Sequence, residues 1–365
     1  MKFIQVAHAV TKDDAASRHV INMDSMLREL GFATAIYAPK ADPVYGGAVR
    51  PMQEFQAAPE DIVIYQMTTG TSFNKWVYNY PQKIVLYYHN ITPAKFFFGN
   101  AWGSWWKCLK GRRDLEKIAK NSFFAWGASE YSRRELTALG LRETAVMPQV
   151  VDPRKYETWQ EVPALYEKYR DGRLNLIMVG RVVPHKKQDE AVAMAAWYKK
   201  HLSDRIRLFI IGGTKPGYEK KLRHQVSSLG LQDNVIFTGK ISNEELCTYY
   251  RLADGLLCLS EHEGFCVPLV EAMIFGTPVF AYACAAVPET LGRAGVLIKD
   301  KSPEALARVI EGTMQDRAQL EALRAGQQQR LEELSYQNIL AGFSRDVKRI
   351  LELKNGELPD RTTRK

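Results

Sequence analysis

Short, almost wholly apolar runs alternate with longer amphipathic stretches along this 365-residue chain. Lys2–Ala7, Ala33–Tyr37, Ile62–Tyr65, Ile84–Tyr88 and Phe123–Ala125 read as buried strands, and Ser17–Leu30 and Gly111–Lys120 carry helical spacing between them. A second series begins at Leu174–Val179. It continues through Ile206–Ile211, Val235–Phe237, Gly255–Leu259, Pro278–Tyr282 and Gly295–Ile298. Strands without a polar face need cover on both sides, which a parallel α/β sheet flanked by helices supplies. Two such series predict two Rossmann-like domains, and the length agrees at roughly 150 residues per domain. The polar, aromatic stretch 152–172 reads as the linker, giving domains over 1–160 and 161–335. Residues 336–365 then form a C-terminal segment, with a helix over Gln337–Leu353 and a frayed polar tail from Lys354.

Apolar residues make up 46% and charged residues 25%, enough for two cores and unlike a disordered chain. Fifty basic against forty-one acidic side chains leave +9, which favours anionic partners. The five cysteines are widely spaced and include no CxxC pair, so neither a disulfide framework nor a zinc site is indicated, and a reducing cytosol fits. The N-terminus turns polar after ten residues and reads as a strand, not a signal peptide. No apolar run approaches about 18 residues, the length that spans a bilayer.

The densest chemistry lies in Glu263-Gly264-Phe265-Cys266-Val267-Pro268-Leu269-Val270-Glu271-Ala272-Met273, directly after a strand. Pro268 suits the first turn of a helix, and Gly276 its end. A helix start offers unpaired N–H groups and a positive dipole end, hence an anion site. A carboxylate can accept both protons of a vicinal diol. One of Glu263 and Glu271 therefore suits a ribose and the other a hexose, with a diphosphate between them. A second element, Gly180-Arg181-Val182-Val183-Pro184-His185-Lys186, follows the strand Leu174–Val179, where ligands of parallel sheets bind. Arg181 forks onto phosphate oxygens and Lys186 adds a point charge.

These strings resemble the retaining glycosyltransferases of family 4, which have the GT-B fold of two Rossmann-like domains facing across a cleft. The E-x7-E string carries most of the likeness, with Cys266 where the family usually has glycine. The resemblance implies that Arg181 and Lys186 hold the donor diphosphate. It implies that His89, after the strand Ile84–Tyr88, meets the donor sugar. It further implies that Gly213, ending Ile210-Ile211-Gly212-Gly213, and Lys240 lie beside the nucleotide. It sends the C-terminal helix back onto the N-terminal domain. Its chemistry is a front-face displacement in which the leaving phosphate accepts the acceptor's proton. His89, Glu263, Arg181 and Lys186 are the expected catalytic set, and Gly264, Phe265, Cys266, Val267 and Glu271 the rest of the donor contacts. No metal or cofactor is implied, and no DxD triplet occurs. The loop His8–Arg18 lacks the glycine pair that many relatives carry there.

The expected donor is a nucleotide-diphosphate sugar, GDP-mannose ahead of a UDP-sugar. The expected acceptor is a glycan or a lipid-linked sugar of cell-surface polysaccharide or lipopolysaccharide synthesis. Phe97, Trp102, Trp105, Trp106, Lys107, Arg112 and Arg113 mix aromatic and basic side chains as membrane-interface segments do. They mark the acceptor or membrane surface, with an anionic membrane as a further partner and a cytoplasmic, peripheral location. A sugar-nucleotide epimerase on the same fold is the alternative, distinguished by C2 epimerisation without acceptor. A basic nucleic-acid-binding protein rests on net charge alone, since no recognition motif is present, and nucleic acid is not an expected partner.

Overall fold

A computed structural model describes residues 1–12, 14–214 and 216–356, apart from the Pro216 side chain. The tail expected to fray lies outside the described residues beyond Gly356, as does Asp13 of the first loop. The chain divides into two compact units. The first takes Met1–Lys95, Gly103–Val150 and the chain from Tyr336 on, and the second takes Phe96–Trp102 and Val151–Ser335.

The first unit holds a seven-stranded sheet of β1 (Lys2–Ala7), β2 (Ala33–Ala38), β3 (Val49–Pro51), β4 (Ile62–Met67), β5 (Ile84–Tyr88), β6 (Ser122–Gly127) and β7 (Thr144–Val146). Its order is β3-β2-β1-β4-β5-β6-β7, and every pairing is parallel. All residues of β4 and β5 are buried, which is why these runs contain no polar face. The short edge strand β3 escaped the sequence reading, because three residues carry no measurable period.

Helix Tyr336–Asn355 completes this unit. Phe343 packs at 5.4 Å between ring centroids against the buried Trp126, whose indole N–H donates to Asp346 Oδ2 at 2.8 Å. Arg349 forks onto both oxygens of Glu143, at 2.6 and 3.0 Å. Buried Trp N–H groups need such an acceptor, and the helix supplies it from more than 200 residues away in sequence.

The second unit holds a six-stranded parallel sheet of β8 (Leu174–Val179), β9 (Ile206–Ile211), β10 (Val235–Gly239), β11 (Gly255–Cys258), β12 (Val279–Tyr282) and β13 (Val296–Ile298). Its order is β10-β9-β8-β11-β12-β13. Alternate residues enter two separate cores: Leu176, Leu208 and Leu257 on one face, Ile177, Phe209 and Leu256 on the other. The sheet is thus covered on both sides, as strand pleating and apolar sequence require.

The stretch 152–172 is not a linker. It folds into helices Pro153–Glu157 and Pro163–Tyr169, and the Val162 N–H donates to Thr248 Oγ1 at 2.8 Å within the second unit. The boundary expected at 160/161 therefore moves to 150/151. Tyr156 and Tyr169 are buried in the second unit and bind that stretch to it despite its polar composition.

Helix Trp102–Lys120 starts nine residues earlier along the chain than its recognisable period, because tryptophans at its first turns obscure the pattern. Its mid-helix Gly111 has a reason. A Cβ there would stand 2.6 Å from the Gly70 N, so the helix meets that loop backbone to backbone.

Truncation of the C-terminal helix contact should show in stability. Phe343→Ala is expected to cost about 3–5 kcal/mol, read as a lowered urea midpoint by tryptophan fluorescence. An unchanged midpoint would mean that the helix does not stabilise the first unit.

Candidate active site

In the second unit the strand-to-helix loops bring together Arg181, Lys186 and the 260–267 segment. β8 ends at Val179, and Gly180 follows at φ 134°. The adjacent Gly212, after β9, has φ 139°, and a Cβ there would lie 2.1 Å from the Gly180 carbonyl oxygen. Only glycine allows this backbone contact. The turn Pro184–Lys186 then aims Lys186 at the loop after β11.

The Lys186 Nζ lies 2.5 Å from Glu263 Oε1, with both side chains largely shielded from water. Burial opposes the Lys186 ammonium, but the Glu263 carboxylate and the neighbouring thiols outweigh it and hold the group above its ordinary value. Burial likewise opposes the Glu263 charge. Lys186, a Ser260 hydrogen bond and His185 overcome it, leaving Glu263 below the usual carboxylate range. Both groups are charged at neutral pH. Arg181 is exposed, and its guanidinium makes no hydrogen bond or ion pair among the described residues.

Helix Val267–Ile274 begins beside this pair, with Pro268 in its first turn. The N–H groups of Phe265 and Cys266 donate to no partner among the described residues. Together with the helix dipole they form an anion-binding end. Cys266 occupies the left-handed region at φ 74°, ψ 70°, which explains why a glycine suits this position in similar sequences. Lys187 (φ 58°), Ala285 (φ 51°) and, in the first unit, Asn90 (φ 76°) share this strain. All four follow the C-terminal ends of parallel strands, the edge where such sheets bind ligands. Gly213 follows β9, and a Cβ on it would be 3.4 Å from Lys240 Cε, so these two expected nucleotide contacts are neighbours.

Three expected roles are altered by the geometry. Glu271 is buried at 3% exposure, not open at the helix start. Its Oε1 accepts from the Tyr156 hydroxyl and its Oε2 from the Tyr250 hydroxyl, each at 2.9 Å. It sits on the helix's second turn, and the tyrosines satisfy it where a diol was expected. Phe97 is also buried, its ring 5.5 Å from that of His185. Arg112 is half-buried and donates to the Ile91 carbonyl at 2.7 Å and to Glu135 at 3.1 Å. Neither Phe97 nor Arg112 presents a surface for a membrane. Phe98, Trp102 and Trp106 are exposed instead, and Lys107, Lys110, Arg113, Lys117 and Lys120 line the outer face of helix Trp102–Lys120. Trp105 is half-buried, 4.7 Å from Trp106.

His89 belongs to the first unit, just past β5. Burial, then the nearby His19 and His8, push its pKa far down, so the ring is neutral. Its Nε2 is 2.8 Å from Gln66 Oε1 and its Nδ1 is 3.4 Å from Gln149 Nε2. Gln66 Nε2 in turn donates to Gln5 Oε1 at 2.8 Å, and Gln5 Nε2 to the Val20 carbonyl at 2.9 Å. This chain places the His89 proton on Nε2 and leaves Nδ1 as acceptor. Gln5, Gln66, Gln149 and His19 were missed in sequence. The one available signal was a glutamine inside each of two apolar strands.

The two parallel-sheet units, with their strained loops at the strand ends, define the GT-B class. Anabaena HepE in complex with UDP-glucose superposes at a TM-score of 0.75, over 96% of this chain and 100% of that one, at 16% identity. WaaG, a glycosyltransferase involved in lipopolysaccharide biosynthesis, gives 0.68 over 97% and 100%, also at 16% identity. Residues 167–330, within the second unit, match the glycosyl transferases group 1 family. The chain is 32% identical over 191 residues to the 2-deoxystreptamine glucosyltransferase of Streptomyces kanamyceticus, covering 50% of this chain and 48% of that protein. It is 27% identical over 234 residues to the GDP-mannose-dependent alpha-(1-6)-phosphatidylinositol monomannoside mannosyltransferase of Mycobacterium tuberculosis, covering 60% of each. The aligned stretch thus spans about half to three fifths of these relatives.

His185 gives the site a pH signature. Burial, then the Lys186 charge, lower its pKa from 6.5 to about 3. Below the unfolded value the unfolded chain binds the proton and the folded chain does not, so stability falls as pH drops from 6.5 towards 3. His185→Asn should flatten the dependence of stability on pH by about 1.4 kcal/mol per pH unit between about pH 5.5 and 4. Urea unfolding at several pH values measures this, and parallel curves for variant and wild type would contradict it.

Proposed function

We propose that this chain is a retaining glycosyltransferase that moves a hexosyl group from a nucleotide-diphosphate sugar to a glycan or lipid-linked acceptor. The carrying observation is the convergence, in one unit, of an uncommitted Arg181, a charged Lys186–Glu263 pair and the unpaired N–H groups of a helix start. These supply positive charge and donors for a diphosphate, with an acceptor-only carboxylate beside them for sugar hydroxyls. Arg181 would fork onto the phosphate. Lys186 would exchange part of its hold on Glu263 for the leaving diphosphate as negative charge develops there, an effect worth about 3–4 kcal/mol per group in comparable sites. The departing phosphate oxygen would take the acceptor's proton, since no side chain of the described site stands as a free general base. The neutral His89 would act only through hydrogen bonds. Glu271 would orient the helix through its tyrosines and would reach a ribose only by giving up one of them.

GDP-mannose is the first donor to try, supported by the mycobacterial relative, and UDP-glucose the second, supported by the UDP-glucose complex of Anabaena HepE. Isothermal calorimetry with GDP, UDP and ADP, each with and without EDTA, should find one nucleotide binding in the micromolar range. EDTA should leave it unchanged, and Arg181→Ala should weaken it about 10–100-fold. If no nucleotide binds, the donor site is misassigned.

The exposed tryptophan and lysine/arginine face of helix Trp102–Lys120 supports peripheral contact with anionic lipid on the acceptor side. No described helix is long and apolar enough to cross a membrane. Trp106→Ala with Arg113→Glu should lower flotation with phosphatidylglycerol vesicles several-fold, at about 1 kcal/mol per basic residue. Phe97→Leu should leave it unchanged. Equal flotation of wild type and the double variant would remove the membrane role.

A further inference from the structure

Two thiols lie beside Glu263 and take no part in the donor chemistry above. Cys258 ends β11, and Cys266 precedes helix Val267–Ile274. Their sulfurs are 3.8 Å apart and both residues are buried. With a Glu263 carboxylate oxygen they make three potential ligand atoms, all within 4.8 Å of one another. Lys186, Cys258, Ser260 and Cys266 also line a cavity of about 10 Å³, the room needed by one water-sized particle. Ser260 is buried, with its hydroxyl 3.7 Å from the Cys258 sulfur.

The spacing discriminates between two uses of a thiol pair. A disulfide of about 2.05 Å would require the sulfurs to close by roughly 1.8 Å, against the fixed strand end and helix start. A tetrahedral ion with metal–sulfur bonds of about 2.3 Å holds its two sulfurs about 3.8 Å apart. That separation is already present.

We propose that Cys258, Cys266 and Glu263 form a binding site for one thiophilic divalent cation of the Zn²⁺ or Cd²⁺ kind, with water or the Ser260 hydroxyl as fourth ligand. Two sulfur ligands select against Mg²⁺ and Ca²⁺. On binding, each thiol loses its proton to solvent as its metal–sulfur bond forms. One divalent charge enters as two protons leave, so the net charge of the pocket is unchanged and Lys186 stays beside Glu263. The consequence of the site rests on the donor reading: an ion that engages Glu263 withdraws it from the donor hexose.

The test is titration of the reduced, chelator-treated full chain with Cd²⁺, read by the ultraviolet cadmium–thiolate charge-transfer band. One equivalent should bind, with release of two protons in weakly buffered solution. Cys258→Ser combined with Cys266→Gly should weaken binding by more than about 100-fold, since even outer-shell partners are worth 10–100-fold. Glycine is the residue best suited to φ 74°, so this variant keeps the loop conformation, checked by circular dichroism. Replacing Cys108, Cys247 and Cys284 by serine should leave the band in place. No band in the wild type, or a band that survives in the Cys258/Cys266 variant, overturns the proposal. Nucleotide binding measured without metal separates the two readings. Nucleotide binding without Cd²⁺ binding removes only the cation site, and Cd²⁺ binding without nucleotide binding removes only the donor assignment.

Discussion

Parallel pairing is the constraint on which the rest of this structure depends. Every strand of both sheets runs the same way as its neighbours. Each crossover must therefore carry the chain back over a face of the sheet, and each sheet delivers its strand C-termini to one edge. The four left-handed non-glycine residues, the Gly180–Gly212 contact, Lys186, Glu263 and His89 all follow such ends. Backbone strain of this kind persists only where the surrounding fold over-determines it, and here two-sided cores do so.

Within that frame, the Lys186–Glu263 pair has a character that bears on function. Two shielded charges gain little net stability from meeting, because both must leave water. Replacement by apolar groups would keep such a loop folded. The pair instead keeps one cation and one carboxylate ionised, oriented and close to the unpaired helix N–H groups. A diphosphate and a sugar hydroxyl are the kinds of group that each half can take up without leaving the other unsolvated. The thiols of Cys258 and Cys266 stand beside this pair and face each other at 3.8 Å.

Where residue chemistry and actual setting diverge, the cause is long-range packing. Glu271 has the spacing of a ligand, but Tyr156 and Tyr250, from elements 115 and 21 residues away, close over its two oxygens. Arg112 looks like part of a basic surface until Ile91 and Glu135 draw it inward. Phe97 looks like an interface aromatic until His185 covers it. The stretch 152–172 has linker composition, yet its buried tyrosines tie it to the second unit.

Sequence alone determined the two parallel α/β units, because short apolar runs alternating with longer amphipathic stretches fit strands covered by helices on both faces. It also determined the Arg181–Lys186 and Glu263–Val267 loops, because a strand end, a glycine and a helix start are local events with local signals. Tertiary structure decided which charged groups stay exposed, which tautomer His89 holds through Gln66 and Gln149, and that Cys258 meets Cys266 at 3.8 Å. Those outcomes depend on side chains from distant elements competing for the same donors, acceptors and space. No spacing along the chain encodes the winner.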